Sequence, residues 1–177
     1  MSAAAPRFVL VTEWVLATSV ERVFDALVDP ASWPRWWRYV ERVALLVPGD
    51  AQGMGAVRRY TWSSRLPYRL TIDMTTTLVV PCAKLEGLAS GDVEGTGCWR
   101  LHDAAGRACV RYTWKVAPRK RWMRALTTLA PLFVWNHHAV MAAGGRGLAR
   151  HLGVPLVAHR RAANGAADRI DREGGQA

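Results

Sequence analysis

Long apolar runs are missing from this 177-residue chain. No stretch reaches the roughly 18 uncharged apolar residues that cross a bilayer as a helix, so no transmembrane segment is expected. Cysteine is scarce: Cys82, Cys98 and Cys109 are odd in number and have no CxxC spacing, which fits a reducing cytoplasm better than a disulfide scaffold. Residues 1–6 show no basic start followed by an apolar core, so no secretory leader is read there and a cytoplasmic location is expected. Lysine is rare as well, only three of 24 basic residues. The net charge of +10 therefore rests on arginines scattered over the whole chain, which argues against a specific nucleic-acid face. The one local cluster is Lys115, Arg119, Lys120, Arg121 and Arg124, read as the solvated start of a helix.

Motifs of common chemistry are absent too. There is no GxSxG, no glycine-rich phosphate loop and no dinucleotide fingerprint. The acids Glu13, Asp73, Glu86 and Glu94 read as outward-facing, so paired carboxylates for glycoside cleavage are not expected. His137 and His138 are adjacent rather than one turn apart, and their side chains diverge too far to share a metal. No metal and no cofactor is expected.

What is present is strand pattern. Residues 8–16 are apolar on both faces and read as an interior strand. Thr18 and Glu21 have capping-box spacing, opening a short helix with Val20, Val23, Phe24 and Leu27 on one face and an end at Asp29-Pro30. A second short helix, 31–37, carries Trp33, Trp36 and Trp37, bulky enough to plug one end of a domain. Strands are then expected over 40–47, 56–63, 68–80, 83–89, 93–102 and 108–116. In the clearest of them Tyr68, Leu70, Ile72 and Met74 face one way, and Arg69, Thr71, Asp73 and Thr75 the other. The last two form a hairpin. Pairing His102 with Arg107 sets Glu94 against Lys115, and Gly95 and Gly97 against Trp114 and Tyr112.

Residues 122–152 return to helical period. At about 100° per residue one face collects Met123, Leu126, Ala130, Val134, His137, Met141, Gly144, Gly145, Leu148 and Leu152, with Arg124, Arg146 and Arg150 opposite. Such a helix needs a partner, and only the sheet is large enough. One imidazole and two glycines on the apolar face suggest a helix closing over a cavity.

Several segments carry a family likeness: 15–28 (VLATSVERVFDALV), Asp29-Pro30, Trp33-Pro34-Arg35-Trp36-Trp37, Gly53-Met54-Gly55 and the helix end at 148–152. Together they resemble the START-like helix-grip superfamily, the SRPBCC group that includes polyketide cyclase/dehydrases and lipid-transport domains. The resemblance implies an α+β helix-grip fold: a curved antiparallel sheet of about seven strands wrapped around a long C-terminal helix, with two short helices after the first strand. It implies a domain over 7–153, followed by a flexible tail over 154–177. It also implies a cavity between sheet and helix for a hydrophobic small molecule.

The residue pattern agrees. Trp14, Tyr60, Trp62, Tyr68, Trp99, Tyr112 and Trp114 are expected inward, with Leu70, Ile72 and Met74. From the helix, Val134 and Met141 would line the cavity while Gly144 and Gly145 leave it room. His137, about 20° from the centre of the apolar face, is the candidate proton-transfer group or ligand contact. A buried imidazole satisfied by a carbonyl or a tyrosine hydroxyl is the competing reading. Arg58 alternates with Tyr60 and Trp62, and an inward arginine needs an anion or carboxylate. A bulge after the glycine turn would instead carry it to the surface or mouth.

Two functions remain open at this level. One is binding of a polyketide-, aromatic- or lipid-like molecule, with cyclase/dehydratase chemistry by His137 and Arg58 if the protein is an enzyme. The other is a non-enzymatic interaction protein whose Trp-rich end and basic helix start contact a protein, RNA or membrane partner. The oligomeric state is not legible.

Overall fold

In residues 8–16 the side chains of Leu10, Thr12, Trp14 and Leu16 share one face, and all four are buried. They form strand β1 (Phe8–Leu16) of a computed structural model that describes residues 8–119 and 130–163. Helix α1 (Val20–Val28) and a 3-10 turn (Pro30–Ser32) run into α2 (Trp33–Trp36). Six strands follow: β2 (Val40–Val47), β3 (Val57–Trp62), β4 (Leu70–Val80), β5 (Lys84–Gly91), β6 (Val93–Asp103) and β7 (Ala108–Pro118). The long helix α3 is described over Ala130–Leu152, and β8 (Leu156–Ala163) closes the order. All eight strands form one sheet in the order β2-β3-β4-β5-β6-β7-β1-β8, every neighbour antiparallel. The α+β helix-grip architecture expected from the sequence is the one observed. Residues 122–129 of the expected helix, its basic start at Lys120, Arg121 and Arg124, and residues 164–177 lie outside the described residues.

The eighth strand is the first difference. Leu156–Ala163 falls in the stretch expected as a flexible tail, yet it pairs with β1 from Leu16↔Leu156 to Leu10↔Ala163. Its sequence hid it: a shift in register near Val15–Leu16 breaks the alternation, and His159 and Arg161 stand opposite Trp14 and Thr12 where apolar residues would announce a strand. The strand gives β1 a hydrogen-bonded neighbour on both sides, so β1 is interior as expected.

The β6–β7 hairpin is the second. Val93 pairs with Pro118 and His102 with Cys109, a register two residues from the expected one. The turn is tighter than assumed: Ala104 and Arg107 exchange both backbone hydrogen bonds, leaving Ala105 and Gly106 as a two-residue loop with φ of 53° and 75°. Positive φ at both central residues marks the type I′ turn that suits a twisted hairpin. Lys115 therefore faces Thr96, Gly97 faces Trp114, and Glu94 reaches Arg119 at 3.7 Å instead of Lys115. A shift of two preserves which face points inward, so Trp99, Tyr112 and Trp114 keep their side.

The cap of α1 is the third. Ser19, not Thr18, is the N-cap. Glu21 lies in the first helical turn, and hydrogen bonds from its own backbone N–H and Ser19 hold its carboxyl below the usual range. Thr18 Oγ1 instead accepts from Arg22, whose guanidinium also donates to Leu152 O at the end of α3.

The core forms where α1, α2 and α3 meet the sheet. Trp33, Trp36 and Trp37 are buried in it, plugging this end of the domain as their bulk suggested. The seat of α3 is made by its glycines. A Cβ on Gly144 would overlap the Trp37 indole, one on Gly145 would come within 2.9 Å of Trp14, and one on Gly147 would overlap Trp36 O. Trp37 Nε1 also donates to Val140 O at 2.9 Å, one helical turn before Gly144. The glycines thus admit tryptophans, not a ligand.

Two stability effects follow. Gly147→Ala gains about 1 kcal/mol of helix propensity but drives a methyl into the Trp36 carbonyl, an overpacking cost of about 3 kcal/mol or more where backbone must move. A net loss of about 2 kcal/mol is expected in urea unfolding. Ala105→Asn places a residue tolerant of positive φ in the I′ turn and should stabilise by about 0.5 kcal/mol in the same assay.

Candidate functional site

Between the sheet and the N-terminal half of α3 lies a cavity of about 280 Å³. Its sheet wall is built by alternation: Arg58, Tyr60 and Trp62 from β3; Leu70, Ile72 and Met74 from β4, with Tyr68 just before it; Gly97 and Trp99 from β6; Tyr112 and Trp114 from β7. β3 pairs with β4 without irregularity, from Val57↔Thr75 to Trp62↔Leu70. The bulges fall in β2, next to Arg42 and Val47, so no swap of faces occurs at Arg58 and its side chain lines the cavity. On β4 a register shift between Thr76 and Leu78 re-aims the strand and brings Val79 to the wall. Gly97 makes the hollow: a Cβ there would stand 2.7 Å from Tyr112 Oη and 3.0 Å from the Trp114 ring.

The other wall is α3, through Phe133, Asn136, His137, Val140 and Met141. Four expected lining residues stand elsewhere. Trp14 is 1% exposed in the core, packed on Trp37 and Trp99 at centroid distances of 5.6 and 5.4 Å. Gly144 and Gly145 face Trp37 and Trp14, and Val134 lines a second, adjoining cleft with Phe8 and Arg161. The physical reason is a rotation of the cavity-facing stripe toward 133, 136–137 and 140–141, because the tryptophan seat fixes the phase of the helix one turn later.

Asn136 was not singled out in the sequence. It is 5% exposed, donates from Nδ2 to Tyr68 Oη at 3.2 Å and accepts from the Arg65 backbone at 3.1 Å. It fastens the β3–β4 loop to α3 beside the cavity. Its only sequence signal was a second polar residue next to His137 in an otherwise apolar stretch.

The polar groups differ in state. Burial, with His138 as a lesser cause, pushes the His137 imidazole down to about 3, so it stands neutral near pH 7. Its Nε2 has no hydrogen-bond partner among the described residues, which leaves the expected carbonyl or tyrosine partner unfound there. Desolvation likewise raises Tyr60, with Arg58 opposing the shift, and raises Tyr112. Arg58 has no carboxylate partner among the described residues. Asp73, Glu41 and Glu13 are engaged by Arg59, Arg69 and Arg111, and Glu86 by Lys84. Among the described residues the cavity therefore presents a cation without a carboxylate partner, Arg58, and a neutral imidazole, His137, on an aromatic wall. Among the described residues no group of three metal-ligating side chains gathers, and no helix is long and apolar enough to cross a membrane.

Since His137 and His138 both favour the neutral form when folded, stability is full above the unfolded value near 6.5 and falls as pH drops through the window toward 3–4. By pH 5 His137 alone should cost about 2 kcal/mol, before the lowered carboxylates Asp73 and Glu86 begin to protonate. Urea midpoints at pH 7.5 and pH 5 measure this, and His137→Leu should remove its share of the difference while that of His138 remains.

The fold and the cavity find counterparts. The family described as polyketide cyclase / dehydrase and lipid transport matches residues 7–153. Among curated proteins none matches. Of solved structures, the Zhui aromatase/cyclase from Streptomyces sp. R1128 aligns with a TM-score of 0.67 and 16% identity, over 97% of this chain and 100% of that one. A START superfamily protein from Mycobacterium smegmatis aligns with a TM-score of 0.68 and 7% identity, over 82% and 97%. Identities this low show a shared fold, while the sequence match spans most of the chain: it belongs to the polyketide cyclase/dehydrase and lipid transport family.

Proposed function

We propose that this protein binds a small, flat aromatic or polyketide-like molecule bearing a carbonyl or carboxylate oxygen, in the cavity between the sheet and α3. The observation that carries this reading is Arg58, a cavity-lining cation without a carboxylate partner among the described residues, set in a wall of Tyr60, Trp62, Trp99 and Tyr112. An arginine half-withdrawn from water is costly unless an oxygen acceptor meets it, and a ligand supplies one. A volume of about 280 Å³ is at the low end of small-molecule sites, which favours a few fused rings over a two-chain lipid.

Binding is better supported than proton transfer. Holding His137 at about 3 rather than 6.5 makes it a weaker base by about 5 kcal/mol, so in this state it serves as a hydrogen-bond partner. A cyclase or dehydratase step would have Arg58 polarise the ligand carbonyl, with His137 receiving a proton once the bound oxyanion stabilises the imidazolium. The interaction reading loses its main support, because Trp33, Trp36 and Trp37 are 7, 6 and 1% exposed.

The probe is 2-acetyl-1-naphthol, followed by quenching of the nine tryptophans. Saturable binding is expected, weakened about 10- to 100-fold in Arg58→Gln, as loss of a charged hydrogen bond implies. Naphthalene, which lacks the oxygen, should bind both proteins alike. Equal affinity of the acetylnaphthol for both would refute the role of Arg58. Native mass spectrometry of freshly purified protein then identifies any co-purifying ligand.

A further inference from the structure

We propose that the cleft between α3 and the β1–β8 edge is a second binding site, specific for a small aromatic carboxylate. The cleft has a volume of about 440 Å³ and adjoins the first cavity, with Phe8 bordering both. Its apolar wall is Phe8, Val134 and Trp135; Trp135 is 43% exposed, and the Arg65 guanidinium lies over its ring at 5.0 Å from the centroid. Its polar wall is His138 and Arg161.

Two independent features point to an anion. Arg161 is exposed on β8 and has no carboxylate partner among the described residues. His138 is 6% exposed, lines the cleft, and its Nδ1 has no hydrogen-bond partner among the described residues. A buried polar nitrogen without a partner is uncommon and marks a place where a hydrogen-bond partner is wanted; with the proton on Nδ1 it donates to a carboxylate. The local charge has one sign: Arg161 and Arg146 both act on His159, and Arg161 acts on His138, each disfavouring the imidazolium. No aspartate or glutamate contributes to either shift.

The ligand class follows from these walls. A planar guanidinium matches a carboxylate through two parallel hydrogen bonds. Trp135 and Phe8 offer faces to a flat ring system. Arg161 is the guanidinium that lines the cleft and has no carboxylate partner among the described residues, so a monocarboxylate fits better than a polyanion. The two sites are neighbours: Phe8 borders both, and the rings of His137 and His138 stand 5.6 Å apart, so they are told apart by their arginines, Arg58 and Arg161.

The test uses 2-naphthoate and the full chain, with NMR of the histidine and tryptophan ring signals and calorimetry for stoichiometry. Expected are shifts at His138 and Trp135 and two molecules bound per chain. Arg161→Gln should remove one of them, weakening that step at least 10-fold, with an unchanged melting temperature. Arg58→Gln should remove the other and leave the Trp135 shifts intact, so failure at either site is seen separately. The neutral analogue 2-acetylnaphthalene should leave the Trp135 signals in place. The proposal is overturned if 2-naphthoate up to 10 mM leaves the His138 and Trp135 signals unmoved, or if Arg161→Gln binds both molecules as before.

Discussion

The close approach of α3 to the tryptophan cluster is the contact on which the rest of the molecule depends. Gly144, Gly145 and Gly147 give the helix a side without Cβ atoms, and Trp37, Trp14 and the Trp36 backbone occupy the space. Trp37 then donates to Val140 O, binding the seat to the helix backbone itself. Pinned so tightly at this end, α3 can diverge from the sheet only along its other half. That half carries Phe133, Asn136, His137, Val140 and Met141, and the cavity lies beneath them. The tightest and the emptiest parts of the interior are two consequences of one helix placement.

The same placement sorts the polar groups. Two successive histidines on a helix differ by about 100° in direction. Once the glycine seat sets the phase, His137 lines the cavity and His138 the adjoining cleft, with their rings 5.6 Å apart. Each is neutral for the same reason, loss of water around the imidazolium, and each leaves a ring nitrogen without a partner. Arg58 and Arg161 provide the matching cations, one on β3 and one on β8. The chain thus faces α3 with two hollows of related chemistry: aromatic walls, a neutral imidazole and an arginine with no carboxylate partner among the described residues.

Strand positions were legible because β1 to β7 carry clean period-two patterns, and buried faces punish any slip by one residue. Where the pattern was interrupted, legibility failed. β8 reads as a polar tail because His159 and Arg161 occupy its inward positions and a register shift breaks its alternation. The hairpin register slipped by two because Ala105 adopts a positive φ usually left to glycine or asparagine, a choice that sequence alone does not announce. The cavity wall on the sheet was read almost completely, from Arg58 and Tyr60 to Trp114. The wall on the helix was not, since Asn136 and Val140 replaced Val134, Gly144 and Gly145.

The sequence by itself determined the order of elements, the inward faces of the central strands and the apolar stripe of the long helix, because these depend on local periodicity. It also determined that this helix holds glycines on its buried side. Only the tertiary structure decided what those glycines admit. Whether a missing Cβ leaves room for a ligand or for an indole depends on residues more than a hundred positions away, at Trp14, Trp36 and Trp37. No local pattern encodes that contact, and it alone sets the rotation of α3 and therefore which side chains meet a bound molecule.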